Sequence, residues 1–217
     1  MDKINKFFKN KKILITGNTG FIGSWLTIVL LKHGAKITGI SKDTGETNGL
    51  FKILKIKNDI HFKLLDLTHE KKTANFLKGK NFDVIIHLAA EPLVYDGYKN
   101  PNKVIKNNIF STINLFNYIK NKKTFLVNFT TDKVYFNDNK RNKYFTENDI
   151  LYGEDPYSFS KVVTDMMGKM WSHNFKPTKI INVRCGNVIG GADWKQKRLI
   201  PDIIKNHYQK TKLDIRN

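Results

Sequence analysis

Cysteine is almost missing from this sequence: Cys185 is the only one in 217 residues. An intramolecular disulfide is therefore excluded, and the reducing cytoplasm is the natural compartment. Long apolar runs are missing too. The densest patch, Trp25 to Leu31, falls well short of the ~18 residues a membrane span needs, so no membrane partner is expected. The N-terminus carries Lys3, Lys6, Lys9, Lys11 and Lys12 but no apolar stretch of the kind a signal peptide requires. Negative charge is scarce: 19 acidic residues face 38 basic ones, leaving a formal net charge of +19. A basic surface attracts phosphate without regard to sequence, which is the starting point for nucleic-acid binding. Yet the lysines are scattered over the whole chain, with no Arg-rich helical face and no zinc-finger pattern. A solvated, lysine- and asparagine-rich background accounts for them, and nucleic acid is not the expected partner. The positive field also suits small acidic ligands such as nucleotide diphosphates. No metal-ligand set is assigned.

What is present is an ordinary globular composition, 40% hydrophobic and 12% aromatic, in a chain long enough for one good core and too short for two full-sized domains. Compact apolar runs recur at Lys12–Thr16, Lys36–Ser41, Ile60–Asp66, Asp83–Leu88, Phe125–Thr130 and Lys179–Arg184. Between them lie helical patterns at Phe21–His33, Asn102–Lys120 and Tyr157–Asn174. Apolar strands alternating with helices predict an α/β fold, a Rossmann-type doubly wound parallel sheet covered on both faces. Residues 1–10 read as a loosely held extension and 11–185 as one α/β domain, with 186–217 following its last strand. Asn137–Tyr144 is expected to be an exposed loop, and Leu213–Arg216 a strand just starting.

The first strand runs into Gly17-Asn18-Thr19-Gly20-Phe21-Ile22-Gly23, a GxxGxxG spacing that opens a helix. Gly17 permits the tight turn, Gly20 lets the backbone approach a pyrophosphate, and Gly23 lets the helix pack closely on the sheet. The helix N-terminus then supplies unpaired N–H groups and partial positive charge. Glycines also serve ordinary turns, but between the first strand and the first helix the pattern points to a dinucleotide. The second strand ends Ser41-Lys42-Asp43: Ser41 stands where a ribose-binding acid is commonest, Asp43 is two residues on, and Lys42 could accept a 2′-phosphate. NAD is the expected cofactor, and NADP stays open. Asp66 fits an adenine amino group or, equally, a helix cap.

Tyr157-Ser158-Phe159-Ser160-Lys161 places a phenol and an ammonium at i and i+4, on one helical face just after Pro156. The cation is expected to lower the tyrosine pKa, so that it can take a proton from a substrate hydroxyl. Thr130-Thr131-Asp132-Lys133 ends the preceding strand, where open α/β sheets face their ligand crevice. By itself that tetrapeptide reads rather as a polar turn with Asp132 as a cap.

Together these motifs resemble the extended short-chain dehydrogenase/reductase family. The glycine loop, His87-Leu88-Ala89-Ala90, Asn108, Tyr157 and Lys161 match its pattern in order and spacing. Within it, Thr131-Asp132-Lys133 resembles the signature of the nucleotide-sugar 4,6-dehydratases, with Lys in the third place as in the CDP-glucose subgroup. Gly17–Trp25, Glu91–Val94, Asp155–Ser158, Arg184–Trp194 and Arg198–Asp202 are similar to that subgroup as well. Asn18 and Ile22 depart from its usual His and Lys, and Glu91 from its usual Gln.

The resemblance implies a hydro-lyase that converts an NDP-hexose, CDP-glucose foremost, to the 4-keto-6-deoxy sugar. Tyr157 would deprotonate the 4-hydroxyl as hydride leaves C4, with Thr131 holding that hydroxyl and Lys161 the nicotinamide ribose. Lys133, with its pKa depressed by burial or nearby cations, would abstract the C5 proton. Asp132 would protonate the departing 6-hydroxyl before hydride returns to C6. The resemblance further implies Gly17, Thr19, Gly20, Phe21, Ile22, Gly23, Asp43, Asp66, Leu67, Leu88, Ala89, Ala90 and Asn108 at the cofactor, along with Tyr157 and Lys161. Asn187 and Arg198 are implied at the nucleotide diphosphate. It also implies a homodimer through Asn102–Lys120 and Tyr157–Asn174, a dinucleotide-binding domain over 11–185 that carries the catalytic residues, and in 186–217 the start of a substrate-binding region that is largely missing. His87 is read as a strand-end structural residue, and Cys185 is given no role. The alternatives are an epimerase or reductase of the same fold, and an inactive fragment that binds NAD at most.

Overall fold

The computed structural model describes residues 2–138, 144–195 and 197–213. Its elements are α1 (Asp2–Phe8), β1 (Lys12–Thr16), α2 (Phe21–Lys32), β2 (Lys36–Ser41), α3 (Leu50–Ile53), β3 (His61–Leu64), α4 (Glu70–Leu77) and β4 (Val84–His87). There follow α5 (Val94–Lys99), α6 (Pro101–Ile119), β5 (Phe125–Phe129), α7 (Pro156–Asn174), β6 (Lys179–Val183) and α8 (Leu199–Gln209). The sheet has six parallel strands in the order β3-β2-β1-β4-β5-β6. This is the Rossmann-type doubly wound sheet read from the sequence.

Alternation along each strand sorts the core into two layers, because successive side chains leave opposite faces of the pleat. Leu14, Ile40, Ile85 and Leu126 meet Leu77 of α4 and Leu115, Phe116 and Ile119 of α6 on one face. Ile13, Ile15, Ile37, Val84 and Ile86 meet Leu30 of α2 on the other, with Phe8 of α1 packed at the margin. At ~1.5–3 kcal/mol for each large apolar side chain fully removed from water, these layers dominate the stability. The N-terminal extension contains α1, whose Phe8 packs on the layer that holds Leu30, and the Asn10 N–H donates to the Gly34 carbonyl at 2.8 Å.

The core thins toward β6. Ile181 is 48% exposed and α8 has no buried residue among those described. Most of the loop expected at 137–144, residues 139–143, lies outside the described residues, and so do residues 214–216 of the expected terminal strand. No described helix is long and apolar enough to cross a membrane.

Chain direction diverges between β1 and β4. The chain leaves β1 toward β2 on one side, and leaves β4 toward β5 on the other. A crevice opens where such connections part, outside the C-terminal ends of the strands. Gly17 and Leu88 stand on its two lips.

Candidate active site

A cavity of about 520 Å³ fills this crevice. Of the residues expected at a cofactor, Gly17, Thr19, Gly20, Phe21, Ile22, Gly23, Asp43, Asp66, Leu67, Leu88, Ala89 and Ala90 line it. Gly17 has φ +71°, and a Cβ there would stand 2.9 Å from the Ala89 nitrogen, so glycine is required on both counts. A Cβ on Gly23 would overlap the Gly17 carbonyl. The α2 N-cap is Gly20, with no side-chain cap and no acid in the first turn. The first-turn N–H groups therefore remain available to an anion. A glycine cradle, open amides and an elongated cavity between two strand ends fit a dinucleotide.

Asp66 lies two residues beyond β3, and its Oδ1 accepts from the Thr68 N–H at 2.9 Å and the Thr68 hydroxyl at 2.8 Å. Those bonds hold its pKa below the usual value against the opposing effect of burial, which is the largest. Asn108 does not line the cavity. Buried on α6, its Oδ1 accepts from the Glu91 N–H at 2.7 Å and its Nδ2 donates to the Ser160 hydroxyl at 2.9 Å, tying the β4 exit to α7. Its neighbour Asn107 takes the lining position. Asn18 is fully buried, its Oδ1 accepting from the Ser41 hydroxyl at 3.0 Å.

His87 sits under the crevice floor, 3% exposed. The Thr112 hydroxyl donates to the Asn108 carbonyl at 2.8 Å, so His87 Nε2, 3.0 Å away, must carry the proton toward Thr112. Nδ1 then accepts from the Thr16 hydroxyl at 2.7 Å. Thr16 Oγ1 accepts in turn from the Leu88 and Ala89 N–H groups at 3.2 Å each, fixing both lips of the crevice. Burial, reinforced by the charge of Lys161, pushes the His87 pKa down from 6.5 to about 3. A folded pKa below the unfolded one gives a contribution fully present above 6.5 and lost as pH falls toward about 3. Denaturant titrations from pH 7 to pH 4 should show the native chain losing stability more steeply than His87→Gln. Parallel curves would show that His87 does not titrate this way.

The second cluster lies at the end of β5. Asp155, a helix cap that the sequence reading passed over, accepts at Oδ1 from the Tyr157 and Ser158 N–H groups at 2.8 and 3.0 Å and starts α7. Asp132–Val134 form a single turn capped by Thr131, whose hydroxyl accepts from the Lys133 N–H at 3.4 Å and donates to Asp132 Oδ1 at 3.1 Å.

Two expectations change here. Lys133 is exposed on this turn rather than buried. The Tyr157 phenol is pushed up rather than down: burial is the largest cause, and Thr131 and Arg198 only partly oppose it. Lys161, which was expected to lower it, is buried and donates instead to the Phe129 carbonyl at 2.9 Å. Burial also brings Lys161 down to about 8.

Residues 190–195 lie over the glycine loop and the start of α2. Trp25 Nε1 donates to the Gly191 carbonyl at 2.9 Å, and Ala192, Asp193, Trp194, Lys195 and Arg198 line the same cavity as the loop. Arg198 is paired with Asp193 at 2.6 Å, while Asn187 is exposed and outside the lining. Cys185 is half-buried, and its carbonyl accepts from the Asp132 N–H at 3.0 Å.

A feature that sequence reasoning missed supports the Asp132–Val134 turn from behind. Asp165 of α7, fully buried, receives Arg184 Nε and Nη2 at 2.9 Å each and the Thr130 hydroxyl at 3.2 Å. Arg184 also reaches the Tyr135 hydroxyl at 3.0 Å. The available signal was an acid set among Val162, Val163, Met166 and Met167, on a helix whose inner face must be dry.

Fold and site thus define a dinucleotide-binding α/β protein with a Thr–Asp–Lys turn beside a Tyr–Lys helix. The chain belongs to the NAD dependent epimerase/dehydratase family, whose sequence profile matches residues 13–216. It is 33% identical to the CDP-glucose 4,6-dehydratase of Salmonella typhimurium over 97% of this chain and 61% of that protein. Against the UDP-glucose 4-epimerase of Mycoplasma genitalium, identity is 24% over 92% of this chain and 61% of the relative. The crystal structure of the Bacillus anthracis dTDP-glucose 4,6-dehydratase in complex with NAD superimposes with a TM-score of 0.78. Identity is 25%, over 94% of this chain and 63% of that one. The chain therefore spans about 61% of the length of these curated relatives.

Proposed function

We propose that this chain carries the NAD site and the proton-handling residues of a nucleotide-sugar 4,6-dehydratase acting on an NDP-hexose, CDP-glucose foremost. The observation that carries the reading is the Thr131-Asp132-Lys133 segment at the mouth of the sheet, whose turn packs against α7, the helix that carries Tyr157 and Lys161. Residues 11–185 are assigned to the dinucleotide-binding domain and 186–217 to the substrate-binding region. NAD bound in the cavity would accept a hydride from sugar carbon 4 and return one to carbon 6.

The chain's own groups move the protons. Thr131 holds the 4-hydroxyl and Tyr157 receives its proton. Lys133 removes the proton at carbon 5, which the adjacent ketone acidifies, and Asp132 protonates the departing 6-hydroxyl. Lys161, at the floor of the cluster, is assigned to a ribose hydroxyl, and Asn187 with Arg198 to the nucleotide diphosphate. A homodimer through α6 and α7 is supported by the exposed Phe110, Phe159, Met166 and Met170 on those helices.

The purified protein, incubated with CDP-glucose and NAD, should yield a 4-keto-6-deoxy sugar. Asp132→Asn should cut formation of the 6-deoxy product by about 10²–10⁴-fold, the usual worth of a positioned proton donor, while oxidation at carbon 4 persists. Full turnover in that variant would remove the dehydratase reading. It would favour an epimerase or reductase, which needs Tyr157 and Lys161 alone. The exposure of Lys133 is the observation that keeps this second reading in play.

A further inference from the structure

The exit of β2 makes two opposite offers to a dinucleotide. Lys42 would attract a phosphate on the adenosine ribose, and Asp43 would repel it. The fold commits both side chains. Lys42 Nζ forms an ion pair with Glu91 Oε1, spanning the cavity mouth from the end of β2 to the end of β4. Glu91 is the fixed partner. Its side chain is 14% exposed against 47% for Lys42. Its N–H donates to Asn108 Oδ1 at 2.7 Å, and its Oε1 also accepts from Asn107 Nδ2 at 2.9 Å. Asp43 turns inward, its Oδ1 accepting from the Gly45 N–H at 2.9 Å and the Thr19 hydroxyl at 3.4 Å.

The same pattern holds around the whole cavity. The described cations that line it are Lys42, Lys195 and Arg198, and each is paired with an acid: Glu91, Glu46 at 3.7 Å and Asp193 at 2.6 Å. Asp43 and Asp66 line it as well. A chain of net charge +19 thus has a dinucleotide cavity whose lining carries more carboxylates than cations.

We propose that Glu91 is a cofactor-specificity determinant: by holding Lys42, it withholds the cation that would meet a 2′-phosphate and so selects NAD over NADP. This rests on the dinucleotide reading of the cavity and adds a residue at the end of β4 to a choice usually sought at the end of β2. The carboxylate also departs from the resemblance, which implies Gln at position 91.

Calorimetric titration of the purified protein with NAD and with NADP tests it without reference to turnover. The native chain should bind NAD the more tightly. Glu91→Gln has the same shape and can still accept from Asn107, but it releases Lys42. Affinity for NADP relative to NAD should then rise about tenfold, the worth of one charge-assisted contact. Adding Lys42→Ala to that variant should return the ratio to its native value. Lys42→Gln alone, at an exposed position, leaves Glu91 uncompensated and should shift the ratio further toward NAD. This gives a test even if the Glu91 variant folds poorly.

An unchanged ratio in Glu91→Gln, an equal loss of both dinucleotides, or a gain that survives Lys42→Ala would each overturn the proposal while leaving the NAD site intact. Failure of the native chain to bind either dinucleotide would instead overturn the reading of the cavity itself, and the proposal with it.

Discussion

Replacing Asp165 by Ala should lower the stability of the chain by about 3–5 kcal/mol, because the change leaves the Arg184 guanidinium buried without its counter-charge. For a protein of this size, that corresponds to a fall in Tm of roughly 6–20 °C. The Asp165 side chain is 0% exposed and that of Arg184 is 8% exposed, so water cannot replace the lost partner. The carboxylate drives the Arg184 pKa up further, chiefly through the bidentate bond between them. The pair should be specific rather than strongly stabilising in itself. Asp165→Leu combined with Arg184→Met should therefore recover most of the loss, since desolvating two charges offsets much of their attraction. A thermal or denaturant melt of the two variants decides the matter. A single substitution costing under about 1 kcal/mol would mean that the pair is effectively solvated.

Tyr157→Phe should reduce turnover by about 10²–10⁴-fold, since the phenyl ring keeps the packing but cannot take the 4-hydroxyl proton. Binding of NAD should survive, because the cavity lining does not include Tyr157. The discriminating readout is therefore turnover lost with dinucleotide affinity kept. Loss of both would assign Tyr157 to the fold. The upward push on its pKa adds a condition. Burial keeps the phenol protonated, so the rate should rise with pH through the alkaline range in the native chain. A rate profile flat from pH 7 to pH 10 would show that a different group accepts the proton.

How much of this was legible beforehand differs from element to element. Each strand of the sheet was read within a residue or two; for β1, β2 and β4 the reason is burial on both faces, which makes a strand a short β-rich apolar run, while β3 and β6 are partly exposed. Lys12–Thr16 and Lys36–Ser41 match the observed β1 and β2 at both ends. The cavity lining followed from the glycine spacing and from His87-Leu88-Ala89-Ala90, since both motifs end neighbouring strands. Asn108 was placed at the cofactor but holds the chain beneath it, and Asn107 faces the cavity. A one-residue step on a helix turns a side chain by about 100°, and no pattern of residue types resolves which of two asparagines looks inward. Within the N-terminal extension, Phe8 looks like part of a polar tail until the core layer of Ile13, Ile15 and Leu30 is there to receive it.

The sequence by itself determined the parallel sheet, the glycine cradle and the set of reactive side chains, because each depends on local periodicity or on a short contiguous motif. Tertiary structure alone decided their states. It buried Lys161 against the Phe129 carbonyl, left Lys133 in solvent, and locked His87 neutral between Thr16 and Thr112. It also brought Arg184 to Asp165 and Glu91 to Lys42. Charge state and pairing depend on what lies within a few ångströms across the fold, and residues 49 positions apart, such as Lys42 and Glu91, carry no mark of their meeting until the sheet sets two strand ends side by side.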